Sequence, residues 1–462
     1  MIILISINGC SPKYKDSKRL TSNNKLELYL IEKRNNIHSK YGLALSGGGI
    51  RSSLFTIGVL KALYDKGYLN NIDIISSVSG GGYSAYWLYI KELEKLEKSK
   101  NYKFGDNTFG YNNFAKNSCD LILSGSFVTY RAMFKALISP NETLPQMYER
   151  KLNITYSNKK DRGVLISRLN KKDLPYLIMN TTLEPKNSKE YTRAESVIEF
   201  TPLLISNKIQ DAHSIRGDLK VNKVTAISGA SVSNILGVDL LAQSIEKPKE
   251  LNYIKENILK LSDGGKSENL GALALILRGV ENIIIVDAEY DPKYEFEAYF
   301  KLKRELYDLG LDFFVDDIEN KRFNNSVHLG SVTSCRIDRK ASLNLKIYYI
   351  KMSTPNSIID KLSRDKQRIG KGSLTFTNFF NILKSNKAEN GNWDCEYLPK
   401  FKKLEVNNML LYSLNSYYNS AKKKGWSFPQ YPTLDQSFYL DQSLAFIGLG
   451  YFQAEELDIK MK

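Results

Sequence analysis

The sequence predicts an α/β fold in which a mostly parallel, twisted sheet is covered by helices. Two strand-to-helix units near the start of the chain carry this prediction. In the first unit, the apolar run 42–46 ends in Gly47-Gly48-Gly49, and leucine and isoleucine residues then recur at helical spacing. In the second unit, the β-rich run 72–78 breaks at a serine and three glycines before a helix that extends to about residue 98. Because strands separated by helices pair in parallel, this order favours a sheet with both faces covered.

Later segments extend the same pattern. Residues 259–262 form a short predicted strand, and the apolar run from residue 269 predicts a helix. The strongly apolar run 282–288 and the run 343–352 predict two further strands. We therefore expect one α/β domain over residues 41–453, with an insertion at about 101–174, a C-terminal elaboration at about 353–453 and a polar tail at 454–462.

Composition limits the classes of protein. The 462 residues are 42% hydrophobic with 29 glycines and 12 prolines, which excludes a disordered or collagen-like chain. No run approaches the ~20 apolar residues that cross a bilayer, so no membrane-spanning helix is expected. The excess of 66 basic over 50 acidic residues gives a net charge of +16, which favours an anionic partner such as a phospholipid surface or nucleic acid. Nucleic-acid motifs are absent, so we expect no nucleic-acid partner.

The four cysteines are far apart in the sequence. None has another cysteine or a histidine at ligand spacing, so neither a zinc site nor a disulfide framework is expected.

The second strand-to-helix junction carries the clearest chemical signal. In a nucleophile elbow, GxSxG, a serine occupies a strained turn and small residues lie two positions before and after it. Ser79 takes the place of the serine, Gly81 fits the pattern, and Ser77 replaces the first glycine with another small residue. An ordinary turn of serine and glycine residues is the alternative interpretation.

The first junction, Ser46 to Arg51, has the sequence SGGGIR and places consecutive backbone N–H groups at a helix N-terminus. This arrangement stabilises a developing oxyanion, and Arg51 adds a positive charge. A dinucleotide-binding loop is disfavoured because Ser52 stands where GxGxxG needs its last glycine, and a phosphate-binding P-loop is disfavoured because the segment has no lysine.

A base is expected at Asp263. The predicted strand 259–262 delivers it in an Asp-Gly-Gly sequence, and the carboxyl ends of strands are where α/β sheets collect active-site groups. An Asp-Gly-Gly turn without function is the alternative. A rival arrangement adds His328, because the order Ser79, Asp263, His328 matches that of α/β-hydrolase triads, although this histidine leads into a predicted strand and has the pattern of an edge or turn residue.

Four ordered motifs resemble those of the patatin-like phospholipase family. They are SGGGIR (46–51), SVSGGG (77–82), AISGASVS (226–233) and SDGGKSENLG (262–271), and the first is also similar to that of the mammalian cytosolic phospholipases. The chain departs from the family pattern at Ser77 and Ser52, where glycines are usual. The resemblance covers most of residues 41–453 and implies a patatin-like three-layer α/β sandwich.

The resemblance also implies a lipid acyl hydrolase that works through a Ser-Asp dyad without cofactor or metal. Ser79 would be the nucleophile that forms an acyl-enzyme, and Asp263 would be the general base. Gly47, Gly48 and Gly49 would form the oxyanion hole, with Arg51 helping to bind the oxyanion or a lipid phosphate. A phospholipid or other acyl-ester lipid is the implied substrate, with an anionic membrane surface as partner. Acyl transfer on the same residues, or a lipid-binding or storage protein without activity, are the alternatives.

The N-terminus suggests a membrane anchor. An apolar stretch at residues 1–7 is followed by Asn8-Gly9-Cys10, which resembles the end of a bacterial lipoprotein signal, and residues 11–40 have the composition of a polar tether. A frayed apolar end or a first strand is the alternative. If Cys10 is not lipidated, a cytoplasmic or secreted location is expected.

Overall fold

The described residues include a twelve-stranded sheet, which forms the centre of the computed structural model. The structure describes residues 37, 39–96, 102–110, 113–123, 144–156, 163–184, 196–207, 211–214, 219–229, 243–246, 258–334, 344–385, 398, 401–432 and 438–461. Cys10 and nearly all of the predicted tether lie outside these residues, so the anchor stays a prediction.

The strands are β1 Tyr41–Leu45, β2 Ile74–Val78, β3 Tyr176–Leu183, β4 Val197–Phe200, β5 Leu204–Asn207, β6 Asp211–Ser214, β7 Gln243–Glu246, β8 Ile258–Ser262, β9 Asn282–Asp287, β10 Leu311–Val315, β11 His328–Ser334 and β12 Asn344–Lys351. The described α-helices are α1 Gly49–Asp65, α2 Ser79–Leu96, α3 Asp106–Phe109, α4 Asn113–Leu123, α5 Leu144–Tyr156, α6 Val221–Ser228, α7 Leu273–Leu277, α8 Glu297–Asp308, α9 Asp316–Glu319, α10 Asn356–Arg364, α11 Lys366–Ser385, α12 Lys403–Lys424 and α13 Leu440–Glu455.

The centre of the sheet is parallel. Its order is β10-β11-β12-β9-β1-β2-β3-β4-β5-β6, with β8 beside the end of β3 and β7 beside β8. The five strands from β12 to β3 pair in parallel, and the strands beyond them at either edge pair antiparallel. The predicted α/β fold with a parallel sheet is confirmed, as are the two strand-to-helix units that predicted it. The antiparallel edges follow from short connections such as Thr201–Leu203 between β4 and β5, which leave no room for a crossover helix.

Two apolar cores lie on opposite faces of the sheet. Successive residues of β1 alternate between them, since Leu43 and Leu45 belong to the first core and Ala44 to the second. Helices α1, α2 and α13 cover the first face, whereas α7 and α8 cover the second. The result is the expected three-layer sandwich.

Helix α13 is an integral part of the first core. Residues 442–454 are all buried, and the helix packs against α1. Two glycines let the backbones meet, because a Cβ on Gly58 would lie 1.9 Å from the Ile447 carbonyl oxygen and one on Gly450 would lie 2.0 Å from that of Phe55. The polypeptide carrying the first glycine motif is thus held by the C-terminal helix.

Cys119 on α4 is disulfide-bonded, which corrects the expectation drawn from cysteine spacing. Sequence separation gives no information about which cysteines the fold brings together. No helix among the described residues is long and apolar enough to cross a membrane.

Candidate active site

Ser79 lies in a strained turn at the carboxyl edge of the sheet. It follows β2 directly and is the first residue of α2. Its φ angle is 48°, in the left-handed region that a serine adopts only when its surroundings impose it. The residue is 6% exposed, and its hydroxyl lies at the N-terminus of an 18-residue helix. This geometry is that of a nucleophile elbow, and the helix dipole favours negative charge there.

The glycines after Ser79 allow this turn to pack backbone against backbone. A Cβ on Gly80 would lie 2.1 Å from the Gly49 carbonyl oxygen, and one on Gly81 would lie 2.4 Å from that of Leu45. The Gly81 N–H also donates to the Ser46 carbonyl at 3.0 Å. The elbow is therefore pressed directly onto the first glycine motif.

Asp263 accepts a hydrogen bond from Ser79. The distance from Ser79 Oγ to Asp263 Oδ2 is 3.1 Å, and Asp263 is 4% exposed. Its second oxygen, Oδ1, accepts from the Gly265 N–H at 2.7 Å, which fixes the orientation of the carboxylate. One carboxylate oxygen is thus held by the backbone while the other faces the hydroxyl.

Strand β8 places Asp263 at the same edge as Ser79, as the sequence predicts. The strand runs antiparallel to β3 and meets only its last residues, with Ser262 opposite Thr182. The Thr182 hydroxyl donates to the Asp263 carbonyl at 2.7 Å. The aspartate therefore reaches the carboxyl edge although its strand is outside the parallel centre.

Ser228, at the end of α6, supports the elbow and was not predicted. Its hydroxyl accepts from the Ser79 N–H at 2.9 Å and donates to the Asn180 carbonyl at 2.6 Å. The hydroxyl thereby connects the strained turn to β3. Ser228 lies in the AISGASVS segment, so the only sequence signal for it was that motif, which carries no residue role by itself.

The first glycine motif surrounds Ser79 from the side of β1. Gly48 and Gly49 have φ angles of 136° and 64°, which favour glycine, and they begin α1. N–H groups in the first turn of a helix have no partner within that helix. Ser52 closes the loop because its hydroxyl donates to the Ser46 carbonyl at 2.7 Å.

Gly47 differs from the expectation for an oxyanion donor. Its N–H donates to the Asn269 carbonyl at 2.8 Å and is therefore engaged in this structure. A Cβ on Gly47 would lie 3.3 Å from the Ser79 Cβ and 2.1 Å from Asn269 Oδ1, so the residue is a close contact of the elbow. The donor role stays a proposal for Gly48 and Gly49.

Arg51 is buried beside the carboxyl end of β9. Its Nη2 donates to the Ala288 carbonyl at 3.1 Å, and its guanidinium carbon lies 5.5 Å from the centre of the Tyr290 ring. Burial lowers the pKa of Arg51 to about 10, while Asp287 opposes this shift, so the group remains charged at neutral pH. The structure gives Arg51 a part in holding the glycine loop against β9, and its contact with an oxyanion or phosphate stays a prediction.

A buried ionic cluster lies behind this loop. Lys351 Nζ is 2.9 Å from Asp287 Oδ2 and 3.2 Å from Asp291 Oδ2. Nearby Glu289 accepts from the Ala298 N–H at 2.9 Å. Burial, followed by repulsion from Asp287, raises the pKa of Glu289 to about 7. The cluster thus contains a carboxyl group that titrates near neutral pH.

The structure does not bring His328 to Ser79. The histidine begins β11, four strand positions from β2, which corresponds to roughly 19 Å. Its Nδ1 is 3.0 Å from Asp317 Oδ2, and its ring packs edge-on against Phe323. The rival triad is therefore not formed, because β11 belongs to the antiparallel edge.

Among the residues that the structure describes, no group of three or more His, Cys, Asp and Glu side chains is placed to hold a metal ion. The chemistry available at the described site is that of a serine hydroxyl, a carboxylate and backbone N–H groups.

Comparison with known proteins gives one family. The family model described as patatin-like phospholipase matches residues 43–276, which contain both glycine motifs, Ser79 and Asp263. No curated protein sequence matches the chain significantly.

Solved structures align with the chain at low sequence identity. Human GIVD cytosolic phospholipase A2 has a TM-score of 0.52 and 12% identity, covering 94% of this chain. The match covers 64% of the human protein, so the chain spans less than two thirds of that relative. VipD from Legionella pneumophila has a TM-score of 0.28 and 10% identity, covering 91% of this chain and 92% of VipD. A chain of the ExoU-SpcU complex from Pseudomonas aeruginosa has a TM-score of 0.22 and 14% identity, covering 88% of this chain and 74% of that one.

Proposed function

The chain belongs to the patatin-like phospholipase family, and from this premise we propose that it is a lipid acyl hydrolase of the phospholipase A type. Its substrate is a phospholipid with a carboxylic ester, presented in an anionic membrane surface. The hydrogen bond of 3.1 Å between the strained Ser79 hydroxyl and Asp263 is the observation that carries the proposal. The net charge of +16 supports the anionic surface.

In the first half of the proposed reaction, Ser79 Oγ attacks the ester carbonyl carbon while its proton passes to Asp263 Oδ2. The carbonyl oxygen becomes an oxyanion that the N–H groups of Gly48 and Gly49 stabilise, since donors at a helix N-terminus favour developing negative charge. Collapse of the tetrahedral intermediate breaks the ester C–O bond. The departing lysolipid oxygen takes the proton from Asp263, and the acyl group remains on Ser79.

In the second half, a water molecule attacks the acyl-enzyme carbonyl and passes a proton to Asp263. Breakdown of this intermediate returns the proton to Ser79 Oγ and releases the fatty acid. Asp263 serves both halves because its Oδ1 bond to Gly265 keeps Oδ2 aimed at the hydroxyl.

The decisive experiment measures fatty acid release from vesicles of phosphatidylcholine and phosphatidylglycerol, together with labelling by a fluorophosphonate probe. We expect Ser79→Ala to abolish release and labelling, and Asp263→Asn to lower release by at least about 1,000-fold. His328→Gln is the control, because the side chain lies on a distant strand.

Circular dichroism establishes that each variant is folded before its activity is compared. A folded His328→Gln protein without activity would show that the catalytic groups are assigned wrongly. A wild-type protein that neither releases fatty acid nor reacts with the probe would favour a lipid-binding role instead. Adding a long-chain alcohol as acceptor tests for acyl transfer, which would yield an ester in place of the free acid.

A further inference from the structure

A wide cleft opens between the C-terminal helices and the carboxyl ends of β9 and β12. Its volume is about 1110 Å³, and aromatic side chains dominate its lining, among them Tyr290, Phe376, Phe380, Tyr412, Trp426 and Tyr431. We refer to it as the aromatic cleft. It does not include Ser79, so it is distinct from the site described above.

Gln430 fixes the aromatic cleft at the carboxyl edge of the sheet. This residue lines the cleft, accepts from the Asp291 N–H at 2.8 Å and donates to the Met352 carbonyl at 2.8 Å. Those two residues follow β9 and β12, which are parallel to β1 and β2. Because β9 and β2 are two strand positions apart, the cleft begins about 10 Å from the strand that carries Ser79, at the same edge.

Tyr290 connects the aromatic cleft to the glycine loop. Its ring is exposed in the cleft and packs against Arg51, which belongs to the first turn of α1. The Tyr290 ring would therefore separate a ligand in the cleft from Arg51, which holds the loop.

The rim of the aromatic cleft combines exposed aromatic rings with positive charge. Trp426 is 47% exposed and Tyr439 is 80% exposed. Lys422, Lys423 and Lys424 are exposed in the last turn of α12, and Lys424 Nζ lies 4.3 Å from the Trp426 ring centre. The only acidic side chain in the described lining is Asp441.

This combination matches the chemistry of a lipid headgroup layer. Tryptophan and tyrosine rings favour the boundary between water and hydrocarbon, and each lysine near an anionic surface adds attraction. Contiguous apolar surface that is exposed to water otherwise marks a contact site. The positive rim and the position of the cleft on the Ser79 edge favour a negatively charged lipid surface as occupant.

We propose that the rim of the aromatic cleft, formed by residues 422–426 and Tyr439, docks the protein onto an anionic phospholipid surface. The proposal rests on the proposed hydrolase function, since docking at this edge presents the glycine loop and Ser79 to lipid.

The test measures binding to sedimented vesicles of phosphatidylcholine with about one third phosphatidylglycerol. Two variants alter the rim, Trp426→Ala combined with Tyr439→Ser, and Lys422, Lys423 and Lys424 each changed to Gln. We expect both to weaken vesicle binding at least about tenfold, because interfacial aromatic rings and surface lysines provide the attraction. Hydrolysis of the soluble ester p-nitrophenyl butyrate should stay within about twofold of wild type, since no membrane is involved.

Matched controls separate the rim from general surface properties. Leu404 is 63% exposed on the same helix as the three lysines. It lies 20 residues from Lys424, which corresponds to about 30 Å along the helix. The Leu404→Ser variant should therefore bind vesicles as well as wild type. Lys171 and Lys172 are exposed just before β3, at the opposite edge of the sheet, so changing both to Gln removes charge without touching the rim. Equal losses in these controls would overturn the proposal.

The fluorescence of Trp426 reports directly on contact between the rim and the vesicle surface. We expect its fluorescence emission to shift to shorter wavelengths when anionic vesicles are added, and the shift to be absent in Trp426→Phe. Rim variants that bind vesicles as well as wild type would overturn the proposal and leave the aromatic cleft to a protein partner. A wild-type protein that does not hydrolyse the ester would instead contradict the proposed function. Vesicle binding through the rim could still be measured in that case.

Discussion

At Ser79, the backbone conformation is the feature of the site that costs free energy. A serine with φ of 48° is held there by contacts on three sides, namely Asp263 at its hydroxyl, Ser228 at its N–H and Gly49 beneath the turn. Strain of this kind costs of order 1–3 kcal/mol and persists only when the surroundings determine it. The position of the Ser79 hydroxyl is the result of those contacts.

Ser228 is therefore expected to act as a positioning residue. Ser228→Ala removes the acceptor of the Ser79 N–H, and we expect kcat for p-nitrophenyl butyrate to fall about 3- to 10-fold with KM nearly unchanged. Thr225→Val is the matched control, because it removes a hydroxyl from the same helix that donates to the Val221 carbonyl at 2.8 Å and lies 3.9 Å from the Met179 sulfur, without contact to Ser79 among the bonds of the described residues. Equal kcat values for Ser228→Ala and wild type would show that the bond does not position the nucleophile.

Glu289 makes the stability of the folded protein depend on pH. Because burial raises its pKa from 4.5 to about 7, the folded protein retains a proton there that the unfolded chain has already lost. Its contribution to stability is therefore present below about pH 4.5 and is lost as pH rises through 7. We expect Glu289→Gln to match wild type in melting temperature at pH 5 and to exceed it at pH 8. If the melting temperatures of the two proteins change with pH in parallel, Glu289 is ionised at both pH 5 and pH 8.

At the scale of elements, two strand-to-helix turns meet and form one site. The turn after β1 supplies the glycine loop, the turn after β2 supplies Ser79, and Leu45 and Ser77 lie opposite each other in the sheet. Their contact is between backbones, since Gly80 lies against Gly49. Any atom added at this contact moves one turn relative to the other.

Gly80→Ala should therefore lower the rate of ester hydrolysis by more than any loss of folded protein accounts for. Its Cβ would lie 2.1 Å from the Gly49 carbonyl oxygen, and a displacement of about 1 Å in a site of this kind costs about 100-fold in rate. Gly82→Ala is the control, since its Cβ would make ordinary contacts at 3.8 Å. We expect ester hydrolysis within about twofold of wild type for Gly82→Ala, and a fully active Gly80→Ala protein would contradict the backbone contact.

Sequence patterns predicted those elements that carry local signals. The two glycine turns, Ser79 at the second of them and Asp263 after a short strand were predicted from periodicity and small residues. Ser228 and the engagement of the Gly47 N–H with Asn269 were not, because both depend on segments that lie more than 140 residues apart in the chain and meet only in the folded sheet. The antiparallel edge that carries His328 away from Ser79 had no local signal either.

At the scale of the whole molecule, the first and last described helices form one packing unit. Helices α1 and α13 cross where Gly58 and Gly450 let the backbones touch. Because α1 begins with the glycine loop, the position of that loop depends on a helix almost 400 residues later. The stability of the site and that of the C-terminal part of the fold are therefore linked.

Gly450→Ala should destabilise the protein by about 1–3 kcal/mol, since its Cβ would lie 2.0 Å from the Phe55 carbonyl oxygen and the helices must separate. Gly370→Ala on α11 is the matched control, because nothing lies within 4 Å of its Cβ and alanine favours a helix by up to about 1 kcal/mol. Urea unfolding measures both. A Gly450→Ala protein as stable as Gly370→Ala would refute the close crossing.

The crossing of α1 and α13 has a consequence for biosynthesis. Residues 79 and 263 leave the ribosome long before residues 440–455, so a nascent chain carries both reactive side chains while the partner of α1 is still missing. We expect such a chain to lack an ordered glycine loop. Under the proposed function, hydrolysis of lipids would then begin only after synthesis of the last helix.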